Sequence, residues 1–462
     1  MIWTKKQIFI LFIVAITSFM GTFLISSVNI ALPEIEKSFG LNAIVLSWVI
    51  TSFLLATAMF LLPVGRWGDL LGTQKIFKIG IVIFTTSSLL CGFVNSGFSL
   101  ILLRFIQGIG AACTSTAGPA ILVSSFLPQH KGRVLGISVS GVYLGLAFGP
   151  FAGGFLTQYL GWRSIFFTSA AIGIITVFIA FIFLKNDIVE RKKTTMLSFK
   201  GTIFYMLGLI ALVTGSSMIP KYYAWFVMLI GFVFLLIFWF IESKSANPVI
   251  ETKLFTKNRL FAYSNLAALI NYSATYAIVF LLSLFLQKIM QMPPHDAGIV
   301  LIAQPVMMAI FSPIAGRLSD KYQPRYLTTI GMTMCTIGLA AFAFLSQTTP
   351  VFLIVAILIW VGLGFALFSS PNMNTIMSSV DKSKYGLASG TAASMRVLGQ
   401  IVSMTVATLF FASIIGNISI ENVSETVFIK AVRWGFVSFA IISSLGIYFS
   451  YNRGKILRQN DK

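Results

Sequence analysis

GLAFGPFAGG, residues 145–154, sits inside an apolar run that only a membrane accommodates. Small residues at 145, 149, 153 and 154 lay down a stripe without side chains about one turn apart, and Pro150 removes a backbone donor at its centre. In lipid such a stripe lets a neighbouring helix approach closely, and the proline bends the span that carries it. By itself the stripe is a packing seam of the small-xxx-small kind. Its company in the chain gives it a further meaning.

Working outward, 57% of the 462 residues are hydrophobic and only 10% are charged. With a mean hydropathy of +0.91, the composition is that of a polytopic membrane protein. Runs long enough to cross a bilayer fall near 8–31, 44–64, 76–95, 98–126, 134–157 and 164–184. A basic linker from Lys185 to Lys200 follows, and then a pair near 201–219 and 224–241, joined by a hairpin at Pro220 to Tyr223. Six more runs lie near 260–287, 298–315, 327–346, 351–370, 386–415 and 429–449. The pattern predicts fourteen helices with both termini on one side. Lys5 and Lys6 precede a first run too long for a signal peptide, so it stays as the first span.

The formal charge of +20 is topology rather than a nucleic-acid surface. Of 33 Lys and Arg, 25 fall in loops on the terminal side and 6 in the opposite loops. That bias sets the termini in the cytoplasm, with the chain in the cell membrane. Cys91, Cys113 and Cys335 lie in separate apolar runs without metal-ligand spacing, and read as core residues. No phosphate loop, HExxH pair or nucleophile elbow occurs, so the sequence points to neither a cofactor nor an enzyme.

GRWGDLLGTQK at 65–75 and GRLSDKYQPR at 316–325 repeat a Gly-Arg-x-x-Asp core after the second and tenth spans. Both copies fall on the terminal side, in equivalent places of two six-span halves. This divides the chain into 1–186, an inserted pair with its basic linker at 187–245, and 246–462. The glycine of each copy permits a tight exit from the helix. Asp69 and Asp320 can meet a helix N-terminus or a basic neighbour, which makes a gate of Gly65, Asp69, Gly72, Gly316, Arg317 and Asp320.

These paired loops, RFIQGIGAA at 104–112 and GLAFGPFAGG itself resemble the major facilitator superfamily, in particular its fourteen-span drug:proton antiporter branch. NIALP at 29–33, SWVITSFLLA at 47–56, GWRSIFF at 161–167 and NPVIETKLF at 247–255 are similar to other stretches of that branch. The resemblance implies an all-α fold of two six-helix halves plus an inserted pair. It also implies export of amphipathic drugs or hydrophobic metabolites in exchange for protons by a monomer. By the same resemblance Arg104, Gln107 and Gly108 belong to a proton-coupling motif, and Gly145, Gly149, Pro150, Gly153 and Gly154 to the antiporter motif. The branch usually carries an aspartate and, two residues on, a threonine in the first span; here those positions are Leu24 and Ser26. Thr73 and Gln74 replace its usual basic pair after Gly72.

The mapping puts none of the 13 acids at mid-membrane, with Glu34, Glu36 and Asp296 in outer loops. Glu34 and Asp296 at the outer mouth and Asp69 at the inner one are the remaining proton carriers. Arg104 lies about 9 Å from the outer end of its span, a depth that marks a polar cavity. Asn29, Asn271, Tyr272, Tyr276, Gln304, Asn372, Asn374 and Arg396 are candidates to line the path. With an arginine and no membrane acid, a facilitator or potential-driven carrier of an anionic or neutral molecule is the alternative. A sensor built on a transporter body is the reading from another class.

Overall fold

The computed structural model describes residues 3–127, 131–184, 199–219, 221–245, 252–380, 385–416 and 420–454. Its first six long helices are α1 (Lys5–Phe39), α2 (Ala43–Leu71), α3 (Thr73–Cys91), α4 (Gly97–Ser125), α5 (Lys131–Leu160) and α6 (Arg163–Phe183). A hairpin follows, of α7 (Phe199–Ser217) and α8 (Ala224–Lys244), and then the short α9 (Thr252–Lys257). The remainder is α10 (Arg259–Thr275), α11 (Ala277–Lys288), α12 (Pro294–Leu301), α13 (Ala303–Lys321), α14 (Pro324–Phe342), α15 (Val351–Ser378), α16 (Tyr385–Ile414) and α17 (Glu425–Tyr451).

Local chemistry sets the ends. Thr4 and Gln7 form a capping box at α1, and the side chains of Asn42, Ser96 and Asn258 accept backbone N–H bonds at the starts of α2, α4 and α10. Gly40 and Gly72, at φ of 61° and 95°, end α1 and α2 in a region closed to most side chains.

Three boundaries differ from the sequence reading. α2 continues through Gly65 and α13 through Gly316, so each repeated motif is the last turns of a helix and not its exit. A glycine inside a helix costs about 1 kcal/mol, which a packed terminus tolerates; the chain turns at Gly72 instead. α1 also runs past NIALP with Pro33 inside it, which carries Glu34 and Glu36 into the helix. Glu36 is buried, at 4% exposure, and not in a loop.

Thirteen helical stretches among the described residues are long and apolar enough to cross a membrane, with α10–α11 and α12–α13 each counted as one. The expected run at 327–346 is α14, which falls outside that set; its first turn holds Pro324, Arg325 and Tyr326, and it carries Thr328, Thr329, Thr333 and Thr336. Each of their hydroxyls donates to a carbonyl four residues back, at 2.6–2.9 Å, so the helix is polar in composition while its polar groups are satisfied.

α1 lies along α5, and α4 is packed between α2 and α3. α15 is packed between α13 and α14, and α10 between α16 and α17. The α7–α8 hairpin leans through α7 on both α2 and α16; the Tyr205 hydroxyl donates to the Ala58 carbonyl at 3.1 Å. α8 turns Phe226, Leu229, Phe232, Leu236 and Phe240 outward, as a face in contact with acyl chains requires.

Candidate functional site: a polar centre between α4, α10 and α16

The glycine stripe of α5 meets the backbone of α1. A Cβ at Gly145 would stand 2.5 Å from the Phe19 carbonyl oxygen, at Gly149 2.6 Å from Ser26 Cβ, and at Gly153 2.6 Å from Ser27 Cα. Gly141, which the motif did not include, extends the seam: its Cβ would be 2.6 Å from the Ala15 carbonyl. Hydroxyls cross the same seam. Thr22 donates to the Val142 carbonyl at 3.0 Å and Ser27 to the Gly149 carbonyl at 2.9 Å. Ser26 reaches the Leu146 carbonyl, the one acceptor that Pro150 cannot serve. Gly154 faces away from α1, toward α12, where its Cβ would lie 2.5 Å from the Pro294 carbonyl.

That last contact belongs to a set gathered at one end of the bundle. There Ser283 donates to the Asn29 carbonyl at 2.8 Å and Gln287 to the Ile30 carbonyl at 2.9 Å, joining α11 to α1. Thr408 of α16 donates to Ser47 of α2 at 2.9 Å, and the His295 amide to Gln158 of α5 at 3.1 Å. Asn29 and Ile30 are some 25 residues into α1, and Ser283 lies near the close of α11, so this end is the one far from both chain termini.

Deeper in, Arg104 of α4 is fully buried. Its Nε donates to the Val49 carbonyl at 3.0 Å, its Nη1 donates to Gln107, and its guanidinium lies 4.4 Å from the centre of the Phe53 ring. Gln107 in turn donates to Ser88 at 2.6 Å. Nη2 has no protein partner. Leu24, at the position of the absent carboxylate, is buried. Gly108 admits this arrangement, since a Cβ there would be 2.3 Å from the Phe53 carbonyl.

α10 supplies the facing wall. Tyr276, at its end, interacts electrostatically with Arg104, and its hydroxyl is buried without a partner. One turn earlier Tyr272 packs on α16, its Cβ 2.8 Å from where a Cβ at Gly399 would stand, which brings it near Arg396, and it also lies near Tyr143 of α5. The Phe365 ring packs edge-on against Tyr272 at 5.4 Å, and the Tyr143 hydroxyl is 3.4 Å from Ser369 Oγ on α15. Tyr143 and Ser369 were not singled out by sequence, because a tyrosine or serine within an apolar run carries no signal of which face it occupies.

Other predicted residues sit elsewhere. Asn29 is buried, with Nδ2 on the Ile25 carbonyl and Oδ1 unpartnered; Gln304 Oε1 is likewise buried and unpartnered, near α15. Asn271 lies near Cys335 of α14, and both atoms of its amide are buried without a partner. Asn372 accepts from Arg453 Nη1 at 2.6 Å and donates to the Ser264 carbonyl at 3.1 Å, at the terminal end of the bundle. Asn374 donates to Ser319 of the second Gly-Arg-x-x-Asp motif at 3.0 Å. Arg317 is exposed, and Gly316 is close to Ser370. The side chains of Asp69 and Asp320 lie outside the described residues. Asp296 is in the first turn of α12, 3.2 Å from His295 Nδ1, and Glu34 pairs with Lys37 at 3.3 Å.

The comparisons with known proteins agree on a family. The model of the Major Facilitator Superfamily matches residues 11–404, and again 264–456. The Riboflavin transporter RibZ of Clostridioides difficile is 32% identical over 411 residues, 88% of this chain and 88% of that protein. Multidrug resistance protein Stp of Mycobacterium tuberculosis is 30% identical over 387 residues, 82% of this chain and 71% of its own. Among solved structures, a bacterial homolog of the human lysosomal transporter Spinster, inward-facing and unoccupied, superposes with a TM-score of 0.70 at 15% identity. That match covers 98% of this chain and 97% of the other.

Proposed function

The chain belongs to the major facilitator superfamily of membrane transporters, which are not enzymes, and from this premise we propose that it exports an amphipathic, aromatic small molecule by alternating access. The observation that carries this reading is the pairing of a closed far end with a polar centre. Contacts between α1, α2, α5 and α11, α12, α16 cluster at that end, while below it Arg104 Nη2 and the Tyr276 hydroxyl are buried without partners, with Tyr272 packed on α16 close by. With α14 counted as a span there are fourteen, in halves 1–186 and 246–462 with the 187–245 pair between them. The Lys and Arg bias then sets the termini in the cytoplasm and the far end outside the cell membrane. The arrangement described is the inward-facing member of the cycle, acting as a monomer.

The relatives support a cargo with aromatic character: one is named for riboflavin, another for multidrug resistance. Purified protein in proteoliposomes should move riboflavin or an amphipathic dye faster than protein-free vesicles. Equal rates for every member of such a panel would sink the reading.

Exchange for protons is the finer reading, favoured by the glycine seam of α5 and by the relatives named for drug resistance. It needs a group whose proton affinity changes through the cycle. Leu24 cannot be that group, so the carrier is sought among Glu34, Glu36, Asp69 and Asp296. Collapse of the pH gradient at constant membrane potential should abolish accumulation; undiminished accumulation would leave a facilitator or potential-driven carrier.

A further inference from the structure

We propose that the polar centre selects its cargo by charge, accepting planar aromatics that present acceptor oxygens or nitrogens, neutral or anionic, and refusing lipophilic cations; the Arg396–Tyr272 pair is its specificity determinant. The inference rests on the transporter reading and names the substrate class of that site.

Tyr272 and Tyr276 are four residues apart on α10, so their side chains share a face about 6 Å apart along the axis. Each lies near an arginine from a different helix: Tyr272 packs on α16, its Cβ 2.8 Å from where a Cβ at Gly399 would stand, one turn from Arg396, and Tyr276 is near Arg104 of α4. Both arginines thus approach one tyrosine ladder from separate walls of the bundle. Rings flank the ladder, with Phe53 against the Arg104 guanidinium at 4.4 Å and Phe365 edge-on to Tyr272 at 5.4 Å.

What the centre offers a ligand is donors. Arg104 Nη2 has its hydrogens unspent, and the Tyr276 hydroxyl, buried without a partner, has one more to give. The described carboxylates stand at helix ends: Glu34 and Glu36 in the last turns of α1, Glu242 in the last turn of α8, and Asp296 and Glu425 in the first turns of α12 and α17. None reaches this ladder among the described contacts. A cation entering would meet two guanidinium groups and, among the described residues, no counter-charge, whereas a carbonyl, imide or carboxylate edge completes the open hydrogen bonds while its ring stacks on the aromatic walls. Arg396 is the adjustable member, since it is only half-buried and Arg104 is already held on two sides.

Fluorescein and rhodamine 123 share a xanthene skeleton and differ in charge, which isolates the variable. Binding is read by fluorescence anisotropy on the full-length protein in detergent, and flux in proteoliposomes. The proposal expects fluorescein to bind at least tenfold more tightly than rhodamine 123. It also expects Arg396→Gln to lose at least tenfold of the fluorescein affinity while Arg396→Lys keeps most of it, with unchanged thermal unfolding of both variants. Equal or tighter binding of rhodamine 123, binding of neither dye, or an Arg396→Gln variant with wild-type fluorescein affinity would overturn it. Flux of rhodamine 123 without flux of fluorescein overturns the charge selectivity and leaves the transporter reading standing. Tight fluorescein binding with no flux of either dye does the reverse.

Discussion

The hydroxyl of Ser26 stands 3.4 Å from the carbonyl oxygen of Leu146, the acceptor four residues ahead of Pro150 that the proline leaves without an amide. A bent span in lipid needs each freed carbonyl answered from a neighbouring helix, and α1 answers this one. Ser26→Ala should therefore lower the thermal unfolding midpoint in detergent, at a cost of about 1 kcal/mol. Ser26→Thr, which keeps a hydroxyl, should restore most of the loss. An unchanged midpoint in the alanine variant would remove Ser26 from this role.

The glycine seam makes a sharper demand. Gly145→Ala places a methyl 2.5 Å from the Phe19 carbonyl, which cannot move aside without shifting α1. A destabilisation of about 1–3 kcal/mol is expected, together with loss of transport. Gly136→Ala, on the same helix with nothing within 4 Å of the added atom, should be neutral to stabilising. Equal tolerance at the two positions would contradict the close approach of α1 and α5.

The helices were legible because apolar runs of membrane length leave few alternatives, and the seam because glycine spacing needs no knowledge of the partner. The facing of single polar residues was not. Asn271 and Tyr272 are neighbours in sequence and about 100° apart around α10. One lies near Cys335 of α14 and the other packs against Gly399 of α16, and composition does not say which turns inward. Asn372 shows the same limit: its partner Arg453 lies beyond the last helix, where a basic residue reads as part of the tail. The exit of α2 lies at Gly72 and not at Gly65 because a glycine in sequence marks only flexibility, whereas the exit needs the positive φ found at Gly72.

Arg104 is held by its shape as well as its charge. Arg104→Lys keeps the cation but loses the Nε bond to Val49 and the planar contact with Phe53. Flux in proteoliposomes should fall at least tenfold for Arg104→Gln and by an intermediate factor for Arg104→Lys, in variants that purify as monodisperse protein. Full flux in Arg104→Gln would make the arginine a packing residue.

Arg453 gives a pH dependence. It is buried just beyond α17, and burial pushes its guanidinium from the ordinary arginine value down to about 9. Between those values the unfolded chain binds a proton that the folded chain has released, so the stability linked to Arg453 rises with pH there and is lowest below about 9. Relative to Arg453→Gln measured in parallel, the wild-type unfolding midpoint should gain between pH 8 and pH 10.5. A pH-independent difference would refute the linkage.

The central claim is that the far end must open for cargo to leave. Ser47 Oγ and Thr408 Oγ1 lie 2.9 Å apart across it, joining α2 to α16. The decisive measurement is dye flux through Ser47→Cys/Thr408→Cys, with Cys91, Cys113 and Cys335 replaced by alanine. Oxidation with a lipid-soluble catalyst should form a disulfide and stop flux, and reduction should restore it. Undiminished flux through protein shown by mass to be fully cross-linked would contradict alternating access through this end.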